Sequence, residues 1–147
     1  MRRKFGNKKQ VFNGITFDSG VELQRYKELL KEQDEGRISG LLVHASFPLN
    51  AFGHIICRIQ PDFIYTRDGV TVVEDTKSKA TLTPSFRIKE KMFYAQYGIP
   101  ITRLMLEKGA FVQSVGSRPK QSEGDSTALR KIGAKATPPA KRARNNR

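Results

Sequence analysis

The first apolar positions come in two short pieces, Val11–Phe12 and Ile15–Phe17, on either side of Asn13-Gly14. That dipeptide suits a two-residue hairpin turn, because both loop positions accept φ > 0. From Asp18 the period becomes helical. Val21, Tyr26, Leu29 and Leu30 form one stripe, Ser19 and Glu22 make a capping box, and Gly36 supplies a stop, so a helix is expected over 18–36. Leu41–Phe47 reads as a strand, Asn50–Gly53 as a loop, and the long run Ile55–Tyr65 as a second strand. Asp68-Gly69 then repeats the hairpin signal before the β-prone run Val70–Thr76. Ser78–Leu82 is a short polar loop. Thr83 as N-cap, Pro84 at the first helical position and Gly98 at the end delimit a second helix. Its stripe is Phe86, Phe93 and Tyr97, with Ile88 and Met92 beside it. Ile99–Leu106 reads as a final strand, and beyond Gln113 large apolar residues become rare. The expected division is a basic N-terminal arm over 1–10, one α/β domain over 11–115, and a disordered basic tail over 116–147.

The hairpin around Asp68-Gly69 carries the candidate chemistry. If those two residues form the loop, Arg67 pairs with Val70 and Asp62 falls directly opposite Asp75. Alternation puts Lys77 on the same face as Asp75 and Glu74 on the other. Two carboxylates about 5 Å apart repel by about 3 kcal/mol at an effective dielectric near 20. Such a pair calls for compensation by a divalent cation with oxygen ligands, a shared proton, or the Lys77 ammonium. Glu22 falls on the inward side of the first helix. It is either the capping-box partner or a third carboxylate turned toward the hairpin, and one side chain is not expected to serve both roles. Lys89 lies between Phe86 and Phe93 on the second helix, where a lysine can snorkel outward or touch a phosphate. Arg87 and Lys91 lie on a more exposed side, and Lys79 follows the hairpin directly.

Charge changes the picture further. The chain is 147 residues long with a formal net charge of +13, unevenly spread. Residues 1–10 hold five basic groups and no acid, and 116–147 hold nine basic against two acidic, so the domain between them is close to neutral. Basic arms around a neutral domain suit a polyanionic partner, because each phosphate contact releases counterions. No apolar run is long enough to span a membrane, and a cytoplasmic protein is expected. Cys57 is the only cysteine and reads as a small residue buried in a strand. His44 and His54 have no partner at metal-ligand spacing in sequence, and neither is assigned to the site.

Pro61-Asp62, twelve residues, then Asp75-Thr76-Lys77 resembles the PD-(D/E)XK nuclease signature. The expected order helix, three strands, helix, strand is also that of the superfamily's αβββαβ core, a mixed central sheet flanked by helices, here with an added N-terminal hairpin. From Gly14 to Phe93 the chain looks like a small phage-encoded family of that superfamily, through GITFDSGVELQRYKELL, PDFIYTRDGVTVVEDTK and FRIKEKMF. It is also similar to phage junction-resolving endonucleases in length, basic tails and a helix-borne glutamate. The resemblance implies a Mg²⁺-dependent endonuclease, with Mn²⁺ able to substitute. The metal would be held by Asp62, Asp75, the Thr76 carbonyl and Glu22, with Lys77 completing the catalytic set. Lys89, Lys79, Arg87 and Lys91 would contact DNA, branched DNA being the expected substrate and a homodimer the expected assembly. The second carboxylate is Asp75 rather than the commoner glutamate, so Glu74 is the alternative ligand should the strand be bulged. The rival expectations are a non-catalytic nucleic-acid-binding protein that kept the fold, and a phage protein whose partner is a host protein.

Overall fold

The computed structural model describes residues 8–120. Residues 1–7 and 121–147, which hold most of both expected arms, lie outside the described residues. The chain runs β1 (Gln10–Phe12), β2 (Ile15–Phe17), α1 (Gly20–Asp34), β3 (Ser39–Val43), β4 (Phe47–Ala51), β5 (His54–Ile59), β6 (Phe63–Arg67), β7 (Val70–Thr76), α2 (Pro84–Tyr97), β8 (Ile101–Glu107) and β9 (Ala110–Val115). Five strands form a mixed sheet in the order β3-β6-β7-β8-β9, while β1-β2 and β4-β5 are separate two-stranded ribbons. Among the described strands only β7 and β8 pair in parallel, and α2 supplies the crossover that a parallel pair needs.

Both helices begin as their caps dictate. The Ser19 hydroxyl accepts the Glu22 N–H at 3.2 Å, and the Thr83 hydroxyl accepts the Phe86 N–H at 3.1 Å. Gly98 closes α2 in the left-handed conformation, with its N–H on the Tyr94 carbonyl. The helices lie against two apolar clusters. Phe17, Leu23, Tyr26, Leu29, Ile38, Phe63 and Tyr65 pack around α1, and Leu49, Ile59, Val73, Phe86, Phe93 and Ile101 around α2. Ile88, expected beside the α2 stripe, is 60% exposed.

Three expectations about strands are corrected. The run 55–65 is not continuous: it breaks at Gln60–Asp62, because Pro61 has no N–H to give a ladder. The expected loop at Asn50–Gly53 is a hairpin turn at Phe52-Gly53 that joins β4 to β5. A further strand, β9, follows β8 through Lys108-Gly109. Cys57 is half-buried rather than buried. With β4 and β5 set aside, the order α1-β3-β6-β7-α2-β8 keeps the expected succession.

Two buried ion pairs tie the layers together. Arg25 on α1 donates to both oxygens of the fully buried Glu74 on β7, at 2.9 and 2.7 Å, and the Tyr65 hydroxyl donates to Glu74 as well. Burial opposes the Arg25 charge, but the bonds to Glu74 outweigh it and raise its pKa; burial and the Glu74 bond together raise that of Tyr65. On the α2 side, Arg103 of β8 pairs with the buried Glu90. Glu90 also accepts the Ser117 N–H at 3.1 Å, the buried Gly116 donates to the Ile101 carbonyl at 2.8 Å, and the Arg118 guanidinium sits 4.9 Å from the Tyr94 ring centre. The docked chain therefore continues past the expected domain end at 115. No helix among the described residues is long and apolar enough to cross a membrane.

Candidate metal and phosphate site

The β6-β7 hairpin has the register read from the sequence. Arg67 pairs with Val70, and the ladder runs down to Phe63 opposite Glu74. Asp68 and Gly69 have φ of +51° and +74°, as a two-residue turn of this hand requires. Alternation then divides the side chains as expected. Glu74 turns to α1 and is consumed by Arg25 and Tyr65, so it is not an alternative ligand. Asp75 and Lys77 share the face toward α2.

Asp62 lies one residue beyond the ladder, at the break made by Pro61. Its carbonyl still accepts the His44 N–H at 3.0 Å, which holds it beside the end of β3. Its carboxylate oxygen Oδ2 accepts from both the Thr76 N–H at 2.7 Å and the Thr76 hydroxyl at 2.6 Å. Thr76, expected to act through its carbonyl, thus fixes the orientation of Asp62 through its donors. Asp75 is 4% exposed, and its Oδ1 accepts from the Lys77 ammonium at 3.0 Å. Burial, followed by repulsion from Asp62, pushes the Asp75 pKa well above the carboxylate range despite the lysine. The Lys77 ammonium is itself held 4.1 Å from the centre of the Phe86 ring.

Glu22 reaches the site from the first turn of α1. One of its oxygens, Oε2, accepts the Asp18 N–H at 3.2 Å, while Oε1 contacts Nε2 of His44. Ser19 makes its half of the capping box, but the Glu22 carboxylate bonds the residue before the N-cap rather than the Ser19 N–H, and the side chain faces the hairpin. Burial and the nearby Asp62 charge raise the Glu22 pKa, partly offset by His44. Glu22, His44 and Asp62 each offer a donor atom, and the three atoms lie within 4.8 Å of one another. His44 is the residue that the sequence reading set aside. In sequence it falls inside the expected strand Leu41–Phe47, which the structure breaks at His44–Ser46, and its partner Glu22 lies 22 residues away.

Two open clefts meet at Lys77 and Thr81. One, of about 340 Å³, is lined by Asp75, Lys77, Arg58 and Lys89 and by Thr83 and Ser85 at the start of α2. The other, of about 420 Å³, runs between Ser19 and Val21 of the α1 entry, Thr76 to Lys79, and the far end of β8. Lys89 lines the first cleft and Lys79 the second. Arg87 and Lys91 are exposed on α2 and line neither cleft. Arg58 joins the basic lining although the sequence did not single it out, and Ser46 steadies its guanidinium at 2.9 Å.

The family model described as "Protein of unknown function (DUF1064)" matches residues 2–105, and the chain belongs to that family. Neither the curated proteins nor the solved structures contain a match.

Proposed function

From membership in a family with no stated activity, we propose a function read from the site itself: this protein is a metal-dependent endonuclease built on a PD-(D/E)XK core. The observation that carries the reading is Asp62 standing between two other carboxylates. It perturbs Glu22 on one side and Asp75 on the other, and Lys77 lies against Asp75. The order α1-β3-β6-β7-α2-β8 and the position of the signature where the antiparallel β6 begins and β7 ends support it.

The donor set suits a divalent cation. Three ligand atoms from Glu22, His44 and Asp62 converge within 4.8 Å, and Asp75 is a buried carboxylate with a single cationic partner. Glu22, Asp62 and Asp75 would hold Mg²⁺ or Mn²⁺, with the Thr76 carbonyl as the further oxygen that the resemblance implies. Bound there, the cation would supply Lewis acidity toward a phosphodiester and a nucleophile at neutral pH. The chain's own groups supply the rest. Thr76 keeps Asp62 in one orientation through two hydrogen bonds. Lys77, positioned by Asp75 and Phe86, orients the attacking water and stabilises charge on the phosphate. Arg58, Lys89 and the start of α2 present positive potential to the backbone on one side of Lys77, and Lys79 does so on the other. Water adds to phosphorus and the 3′ oxygen departs, leaving a 5′-phosphate.

Branched DNA is the proposed substrate and a homodimer the proposed assembly, both on the strength of the resemblance. The test is a panel of labelled four-way junctions, flaps, duplexes and single strands, incubated with Mg²⁺ or with EDTA, beside Asp75→Asn. Metal-dependent cleavage that Asp75→Asn abolishes is expected. Cleavage that survives the substitution overturns the site. Binding without cleavage of any member of the panel favours the non-catalytic nucleic-acid-binding reading.

A further inference from the structure

Resting on the metal-dependent reading above, we propose that His44 is itself a ligand, so that the site takes a transition-series divalent cation such as Mn²⁺ in preference to Mg²⁺. Two independent features of His44 carry this. The first is convergence: its imidazole meets a carboxylate oxygen from Glu22 and one from Asp62, on three different segments of chain, within 4.8 Å. A plain ion pair with Glu22 needs no third donor. The second is backbone conformation. His44 sits at φ +56°, a left-handed geometry that costs energy for any residue with a Cβ. The strain is held in place from both sides. The His44 N–H donates to the Asp62 carbonyl at 3.0 Å, and the Gln60 side-chain amide donates to the His44 carbonyl at 2.7 Å. The ring rests against Phe17, with centroids 5.8 Å apart. The surrounding chain thus holds the imidazole turned toward the two carboxylates.

The donor chemistry then sets the preference. Carboxylate and carbonyl oxygens accept Mg²⁺ and Mn²⁺ alike, whereas an imidazole nitrogen favours the transition-series ion. A site of oxygen donors alone would carry no such bias.

The experiment is pulsed EPR on the full chain with Mn²⁺, together with calorimetric titration of Mn²⁺ and Mg²⁺. The expected result is a ¹⁴N coupling from a bound imidazole in the native protein. His54→Gln should retain it and His44→Gln should lose it. His44→Gln should also weaken Mn²⁺ binding by about tenfold or more, on the scale of outer-shell losses, while Mg²⁺ binding changes much less. A native Mn²⁺ complex without nitrogen coupling overturns the proposal, whether or not His44→Gln folds. So does a folded His44→Gln protein that binds Mn²⁺ like the native one. The nuclease reading fails separately. Nitrogen coupling with no cleavage of any nucleic acid would sink that reading and leave His44 a ligand. Cleavage by native protein whose Mn²⁺ shows no nitrogen coupling would do the reverse.

Discussion

Replacing Glu22 by Gln should make the metal-free protein more stable and the metal-loaded protein comparatively less so. Glutamine keeps an oxygen acceptor for the Asp18 N–H, so the substitution chiefly removes the charge. That charge is poorly placed. Glu22 is 4% exposed, and one of its oxygens lies within 4.8 Å of an Asp62 oxygen. Two unit charges at that distance repel by about 3.5 kcal/mol at an effective dielectric near 20. The contact with His44 offsets part of this, leaving a net gain for the variant of about 1–2 kcal/mol. The sign follows from the raised pKa of Glu22. The folded protein holds that proton more tightly than the unfolded chain. The contribution is therefore fully present below the ordinary value of 4.5 and is lost as pH rises through the higher folded value. Thermal unfolding in EDTA near pH 8 should put Glu22→Gln above the native protein by about 3–4 °C for each kcal/mol gained. At a hundredfold excess over its dissociation constant, a cation stabilises the native protein by about 2.7 kcal/mol. The variant should gain less. A variant less stable than the native protein in EDTA, with an undiminished metal-induced shift, would refute the reasoning and leave Glu22 a structural carboxylate paired with a histidine.

Gly116→Ala should destabilise by about 1–3 kcal/mol in urea unfolding, because the new Cβ would lie 2.6 Å from Glu90 Oε2 and 2.8 Å from the Ile101 carbonyl. Phe52→Asn should stabilise by about 0.5–1 kcal/mol, because Phe52 is 88% exposed at φ +50° and asparagine tolerates that conformation better. Glu74→Gln should cost about 3–5 kcal/mol, since it leaves the buried Arg25 with only Glu28 as a carboxylate partner. The raised pKa of Tyr65 gives a stability term present below about pH 10 and lost as pH climbs beyond it, and Tyr65→Phe should remove that alkaline loss in chemical denaturation.

What could be read from the sequence was what local chemistry dictates. Four turns place a residue with φ near +50° before a glycine: Asn13-Gly14, Phe52-Gly53, Asp68-Gly69 and Lys108-Gly109. The two with Asn or Asp were legible because those side chains favour the geometry. The other two were not, and with them went the β4-β5 ribbon and strand β9. Both helices were bounded to within two residues because Ser19, Thr83, Gly36 and Gly98 act locally. The ion pairs were invisible for the opposite reason. Arg25 and Glu74 are 49 residues apart, and nothing near either one announces the other.

The site itself was half legible, and the missing half has one cause. The hairpin register fixes Asp75 and Lys77 and sends Glu74 to the other side, since a ladder with a known turn leaves no freedom. It does not fix Asp62. Continued by one pair, the ladder would set Asp62 squarely against Asp75, with the repulsion that arrangement carries. Pro61 ends the strand first, and the Asp62 carboxylate takes both donors of Thr76 while it still repels Asp75. Compensation thus begins with an amide and a hydroxyl from the neighbouring strand, a solution that charge counting alone does not suggest. The bond from the His44 N–H to the Asp62 carbonyl is the next rung after Leu42–Ile64 and Val43–Phe63, and this register brings a histidine with no sequence partner beside two carboxylates. The β3-β6 register therefore decides which further residue joins the first aspartate, and Thr76 decides where that aspartate points.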